Sequence, residues 1–251
     1  MIRITDTVKH ILIINVLFFV AKYVAAQYGV NLTQYLGLFF VENELFRPWQ
    51  FVTTMFMHAG VNHILFNMLA LWMFGSALEQ VWGKTKFLFF YFSAGIGASL
   101  IYTLANYIQF ESVYADLLSA GLSATDISSI LETGSYNTSI LKYVSQESLA
   151  SFYGVFNAPA VGASGAIMGL LVGFGMLFPN SELMLLFFPV PVKAKYFIPV
   201  LIGLDLFSGL TGISIFSPNN TAYWAHIGGA LIGLLMMLYW KKTQFNNNRW
   251  D

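Results

Sequence analysis

Residues 160–178 read AVGASGAIMGLLVGFGMLF, and residues 225–233 read AHIGGALIG. Both stretches are uncharged, apolar and punctuated by glycine. Gly165, Gly169 and Gly173 recur every fourth residue in the first, as do Gly229 and Gly233 in the second. Small residues at that spacing share one helix face and let two helices pack with their backbones close together. Each stretch also carries a polar side chain: Ser164 within Gly162-Ala-Ser164-Gly165, and His226 three residues before Gly229. Polar groups in helices this apolar face a cavity or a bundle interior and mark function. The stripes predict that these two helices meet and bring His226 within reach of Ser164.

The rest of the chain supplies the solvent for such helices. Of 251 residues, 57% are hydrophobic, 17% aromatic and only 10% charged, against about 25% charged in a soluble domain. So few charges cannot coat a water-facing surface, so part of the surroundings is lipid. The sequence has no cysteine, which excludes disulfides, thiolate catalysis and cysteine-ligated metal. A formal net charge of zero leaves no basic footprint for nucleic acid.

A membrane helix needs roughly 20 mostly apolar residues. Six spans are predicted, at about 10–26, 61–81, 87–107, 160–178, 196–216 and 222–240. The first lacks a small-residue cleavage site and is read as a retained span. The expected fold is an all-α membrane protein, a six-helix bundle in one domain over 1–251. Residues 27–60 hold Phe39, Phe40, Phe46, Trp49, Phe51 and Phe56, too aromatic for a solvated loop. They are expected at the bilayer surface, where rings prefer to sit. Residues 108–159 form the polar region, with apolar spacing that suits one or two short amphipathic helices. The stretch from Leu183 to Val192, interrupted by Pro189 and Pro191, reads as an interfacial segment. The patterns at Asn137 and Asn219 fit glycosylation acceptors.

Lysine and arginine set the orientation. Alternating the six spans places Arg3, Lys9, Lys84, Lys86, Lys193, Lys195, Lys241, Lys242 and Arg249 on one side. Only Arg47 and Lys142 fall on the other. Both termini are therefore expected in the cytoplasm of a multi-pass cell-membrane protein, with 108–159 outside.

Under that topology, spans two, four and six all begin from the outside, each with a polar group in its first turns. His63 and Asn67 lie in HAGVNHILFN, residues 58–67. At 1.5 Å per residue they share a shallow layer with Ser164 and His226. An imidazole can take a serine hydroxyl proton and return it to a leaving amine. The unpaired backbone N–H groups at the start of the Ser164 helix, with His63 and Asn67 one turn apart, can hold an oxyanion. No acid lies at that depth in these three spans, so the expected centre is a Ser–His dyad. Asp205, on span five, is not assigned to chemistry. His58 reads as structural and Glu79 as a helix-end cap or ion-pair partner.

Taken singly, these residues have plainer roles. Ser164 and the glycines suit helix packing, and His226 or Asn67 suits an interhelical hydrogen bond. A transporter would spread polar groups through the full depth of the bilayer. A metalloprotease would need His-Glu-x-x-His, absent here.

Four elements in order resemble the rhomboid family, in its bacterial six-span form, over about residues 40–240. They are the block 58–67, Glu79 with Gly83, the 162–165 motif, and residues 225–233. The resemblance implies an intramembrane serine protease that needs no cofactor or metal and acts on single-span membrane proteins. It implies Ser164 as nucleophile, His226 as base, His63 and Asn67 in the oxyanion hole, and 27–60 as a membrane-embedded loop. It also implies that span five serves as a gate. A non-catalytic rhomboid-like client-binding protein usually lacks the serine or the histidine, and both are present. Two positions depart from the family. Trp49 is followed by Gln50 rather than arginine. Met168 replaces the tyrosine that packs on the base, where a sulfur–ring contact could substitute.

Overall fold

The computed structural model describes residues 3–185, 188–211, 213 and 223–243. Asn219, the end of predicted span five beyond Ile213, and Ala222 lie outside the described residues.

Helix α1 (Asp6–Gln27) leads into the aromatic loop, which holds two short helices, α2 (Leu32–Leu36) and α3 (Gln50–Thr53). Helix α4 (Val61–Ala70) passes through a π-helical turn at Leu71–Gly75 into α5 (Ser76–Ser119). This long run is not one rod, because Gly83 within α5 sits at φ 74°. Glycine takes that conformation without steric cost, and the chain reverses there. A side chain on Gly75 would meet the Phe87 ring, although an unbroken helix would hold those positions ~18 Å apart. The predicted spans 61–81 and 87–107 are thus an antiparallel pair. The second continues as helix to Ser119 instead of stopping at 107. Its last turns leave the apolar zone while keeping helical spacing, so hydropathy alone ends it too early.

Beyond α5 come α6 (Ala124–Thr133), which carries the expected spacing at Ile127, Ile130 and Leu131, and α7 (Gln146–Asn157), a second short amphipathic helix in the polar region. Helix α8 spans Ser164–Leu177. Its start is later than the predicted 160, because Ala160 is extended and pairs with Leu38. An antiparallel hairpin follows, β1 (Glu182–Leu185) with β2 (Phe188–Lys193). The segment 183–192, read as interfacial, is built as two paired strands, a small sheet among mainly helical described residues. Helix α9 covers Ala194–Thr211, ending before the predicted 216, and Ile213 is not helical. Helix α10 covers Tyr223–Thr243.

Among the described residues, α1, the α4–α5 run, α9 and α10 are long and apolar enough to cross a membrane, with α8 as a shorter apolar helix. Counting the α4–α5 run as two at Gly83, six apolar helical segments form the bundle. Leu17, Val20, Phe89, Leu104, Leu210 and Leu235 face outward and are exposed, an apolar belt suited to lipid. The main core joins α1, α4, α5, α8, α9 and α10 through residues such as Val8, Leu71, Phe90, Leu170, Ile198 and Met237. A second core lies beyond the Ser164 end of the bundle. Phe40, Phe110, Leu117, Ile127, Phe152 and Val155 close it beneath α6 and α7.

Candidate active site

The glycine stripes of α8 and α10 pack against each other. A Cβ on Gly229 would overlap the carbonyl oxygen of Gly165, and one on Gly233 would stand 2.8 Å from the Gly169 Cα. Helix α5 closes the third side: a Cβ on Gly165 would stand 2.6 Å from that of Ala98. Backbones this close place the first turns of α8 and α10 side by side. Ser164 Oγ lies 2.9 Å from His226 Nε2. These are residues 62 positions apart on different helices, and the pairing needs no loop side chain to bridge it.

The other ring nitrogen is also engaged. His226 Nδ1 lies 3.0 Å from Asp205 Oδ2. Asp205 is 8% exposed and stands on α9, so three helices contribute to one hydrogen-bonded row. Spans two, four and six indeed bring no acid to the Ser164–His226 layer; the one that reaches it is Asp205 on span five, left unassigned by the sequence. The sequence placed span five as far as 216, which sank Asp205 towards mid-bilayer. With α9 ending at Thr211, Asp205 lies only ~9 Å from that end. A signal was available: an acid in an apolar helix needs a partner, and His226 was a base on the neighbouring apolar helix.

His63 and Asn67 lie on α4, one turn apart. The His63 ring borders Gly162, where an added Cβ would stand 2.9 Å from His63 Nε2 and 3.6 Å from Ser164 Oγ. Gly162 has φ 136°, so a side chain there is excluded twice, by backbone conformation and by space. The Ala59 N–H donates to His63 Nδ1 at 3.4 Å. An accepting Nδ1 leaves the ring proton on Nε2, which faces the Gly162–Ser164 turn. Asn67 is 6% exposed, and its Nδ2 has no hydrogen-bond partner among the described residues. That turn is itself pinned. Leu38 and Ala160 exchange backbone hydrogen bonds of 2.9 and 2.8 Å, and the Gly162 N–H donates to Thr54 O at 3.0 Å.

Residues 45–242 match the Rhomboid domain. The chain belongs to the rhomboid family. The rhomboid protease AarA of Providencia stuartii is 28% identical over 200 residues, 76% of this chain and 55% of that protein. The mitochondrial Rhomboid protein 1 of Saccharomyces cerevisiae is 27% identical over 188 residues, 75% of this chain and 40% of that protein. The rhomboid protease GluP of Bacillus subtilis is 42% identical over 52 residues, 21% of this chain and 10% of that protein. The matched region thus spans about half or less of these relatives.

As a rhomboid, the chain is a multi-pass membrane protein, and its two departures from the family pattern acquire physical accounts. Gln50 is fully buried and takes over the anchoring of the loop. Its Nε2 donates to Leu45 O at 2.9 Å, and its Oε1 accepts from the Phe39 N–H at 3.2 Å. Trp49 Nε1 donates to Tyr35 O at 3.0 Å, while Arg47 turns back on the carbonyls of Glu44 and Phe46. Met168 is buried in the main core, and the His226 ring has a polar contact through its Nδ1 with Asp205. His58 packs edge-on to His63, with ring centroids 5.2 Å apart. Burial first, and then the His63 charge, lower its pKa to about 4, so it stays neutral at ordinary pH. Glu79 caps a helix other than its own: it accepts from the backbone N–H groups of Thr7 and Val8 at 3.2 and 3.0 Å, and from the Thr5 hydroxyl.

Proposed function

We propose that this chain is an intramembrane serine endopeptidase that cuts single-span membrane proteins near the extracytoplasmic face. The observation that supports it is the 2.9 Å approach of Ser164 Oγ to His226 Nε2. In this reading His226 accepts the hydroxyl proton as Ser164 attacks a scissile carbonyl, then returns it to the leaving amine. The carbonyl oxygen becomes negative in the space bordered by Gly162. Donors available to it are His63 Nε2–H, which borders that space, and the unpaired backbone N–H groups at the start of α8; the unpartnered Asn67 Nδ2, one turn along α4 from His63, is assigned to the same task. No step calls on a metal or cofactor.

The lysine and arginine distribution supports a cytoplasmic Gly83 end, with the Ser164 end and its α6–α7 cap outside. The rhomboid proteases among its relatives favour the same chemistry. A non-catalytic client-binding role would leave the Ser164–His226 contact without a purpose.

Purified protein in detergent micelles is expected to cleave a single-span substrate and to be labelled at Ser164 by a fluorophosphonate. Ser164→Ala and His226→Ala should each lower cleavage by at least about 10³-fold without changing the melting temperature by more than a few degrees. EDTA should change nothing. Undiminished cleavage by Ser164→Ala sinks the proposal.

A further inference from the structure

We infer that Asp205 is the positioning residue of this centre, fixing the ring tautomer of His226 so that Nε2 meets Ser164 as an acceptor. The inference rests on the serine endopeptidase reading and adds a third member to it.

The chemistry starts from proton counting. A neutral imidazole has one N–H and one lone pair, and nothing intrinsic decides which nitrogen holds the proton. A carboxylate can only accept. Asp205 Oδ2 at 3.0 Å from Nδ1 therefore draws the proton to Nδ1. The lone pair is left on Nε2, 2.9 Å from Ser164 Oγ, where a base must stand. In the other tautomer both Nε2 and the hydroxyl would present protons, and transfer could not begin. The carboxylate also opposes the positive charge the ring acquires once it has taken the proton.

Burial strengthens the case. A carboxylate that is 8% exposed in an apolar helix needs a compensating donor, and the His226 ring supplies it. Because Asp205 is on α9 and His226 on α10, the bond also ties those helices. A bare tie would tolerate either tautomer, and this separates the two roles.

Asp205→Asn keeps the size of the side chain but can donate to Nδ1. With purified full-length protein and a single-span substrate, kcat should fall on the order of 10²–10⁴-fold, with KM within about twofold. Nitrogen-15 NMR of labelled histidine should show His226 protonated at Nδ1 in the wild type and at Nε2 in Asp205→Asn. Asp205→Glu, which keeps the acceptor, should retain the Nδ1 tautomer and recover part of the rate. An unchanged kcat in folded Asp205→Asn overturns the inference. So does a wild-type His226 protonated at Nε2, a measurement that needs no variant to fold. Wild-type protein labelled at Ser164 alongside an indifferent Asp205→Asn would remove Asp205 alone. Wild-type protein that neither cleaves nor labels would remove the endopeptidase reading, and this inference with it.

Discussion

The seam between α8 and α10 and the cap beneath α6 and α7 are packed by opposite means. In the seam the contact is backbone on backbone: Gly165, Gly169, Gly229 and Gly233 leave room for nothing else. In the cap the contact is ring on ring. Phe110 stacks on Phe152 at 4.4 Å and on Phe156 at 5.9 Å, and Phe40 leans on Phe110 at 4.5 Å. The difference follows from the solvent. Between helices already in lipid, burying large apolar side chains gains little, so close van der Waals approach must hold them. Outside the bilayer, water drives large rings together. The seam fixes the Ser164–His226 distance, and the cap holds a separate small core. Helix α5 runs into it from the bundle and contributes Phe110 and Leu117, and the aromatic loop reaches it through Phe40 and through Asn43, whose Nδ2 donates to Phe156 O at 2.7 Å.

Three substitutions test that contrast. Phe152→Ala should be the largest, removing about 3–5 kcal/mol from the cap. Limited proteolysis should open residues 120–150, while the rate of fluorophosphonate labelling at Ser164 stays within about threefold. A matching loss of labelling would show that the two regions form one cooperative unit. Gly229→Ala should act the other way. One methyl group forces α8 and α10 apart, and a misplacement near 1 Å costs on the order of 10²-fold in rate. Cleavage assays should record that loss while the α6 and α7 amides keep their hydrogen-exchange protection. The smallest effect concerns the capping box of α6, where Ser123 and Asp126 satisfy each other's backbone N–H groups. Ser123→Ala should weaken α6 by about 1 kcal/mol, read as faster exchange of its first-turn amides. The bond from Ser123 holds the Asp126 carboxyl below 3.8. The cap's contribution is therefore complete above that value and disappears as pH falls through the lowered one. Exchange in α6 should rise only under such acid conditions, with the seam unaffected.

The contrast also explains what could be read from the chain. The seam was legible because its signal is periodic: glycine every fourth residue, with His226 on the stripe of its helix and Ser164 beside the first glycine of the other. The six apolar segments were legible from the length of their uncharged runs. Asp205 was not assigned, because its place depends on where α9 ends, and an apolar run does not mark its own end. The extension of α5 to Ser119 and the β1–β2 hairpin escaped for related reasons. One continues a helix past the point where hydropathy falls, and the other hides two strands in an apolar stretch broken by prolines. The anchoring role of Gln50 depends on carbonyls of Tyr35 and Leu45 in the same loop, which no local spacing announces.

Helix α1 is the most exposed of the long helices, yet it is fastened at both ends. Glu79 grips its first turn at the Gly83 end. Near its other end, Lys22 Nζ donates to the carbonyls of His58 and Ala59 at 2.9 and 3.0 Å. Ala59 in turn supplies the N–H that sets the ring of His63. This outlying rod is thus a strut along the length of the bundle, whose hydrogen bonds connect its Glu79-held foot at one end to an imidazole at the other.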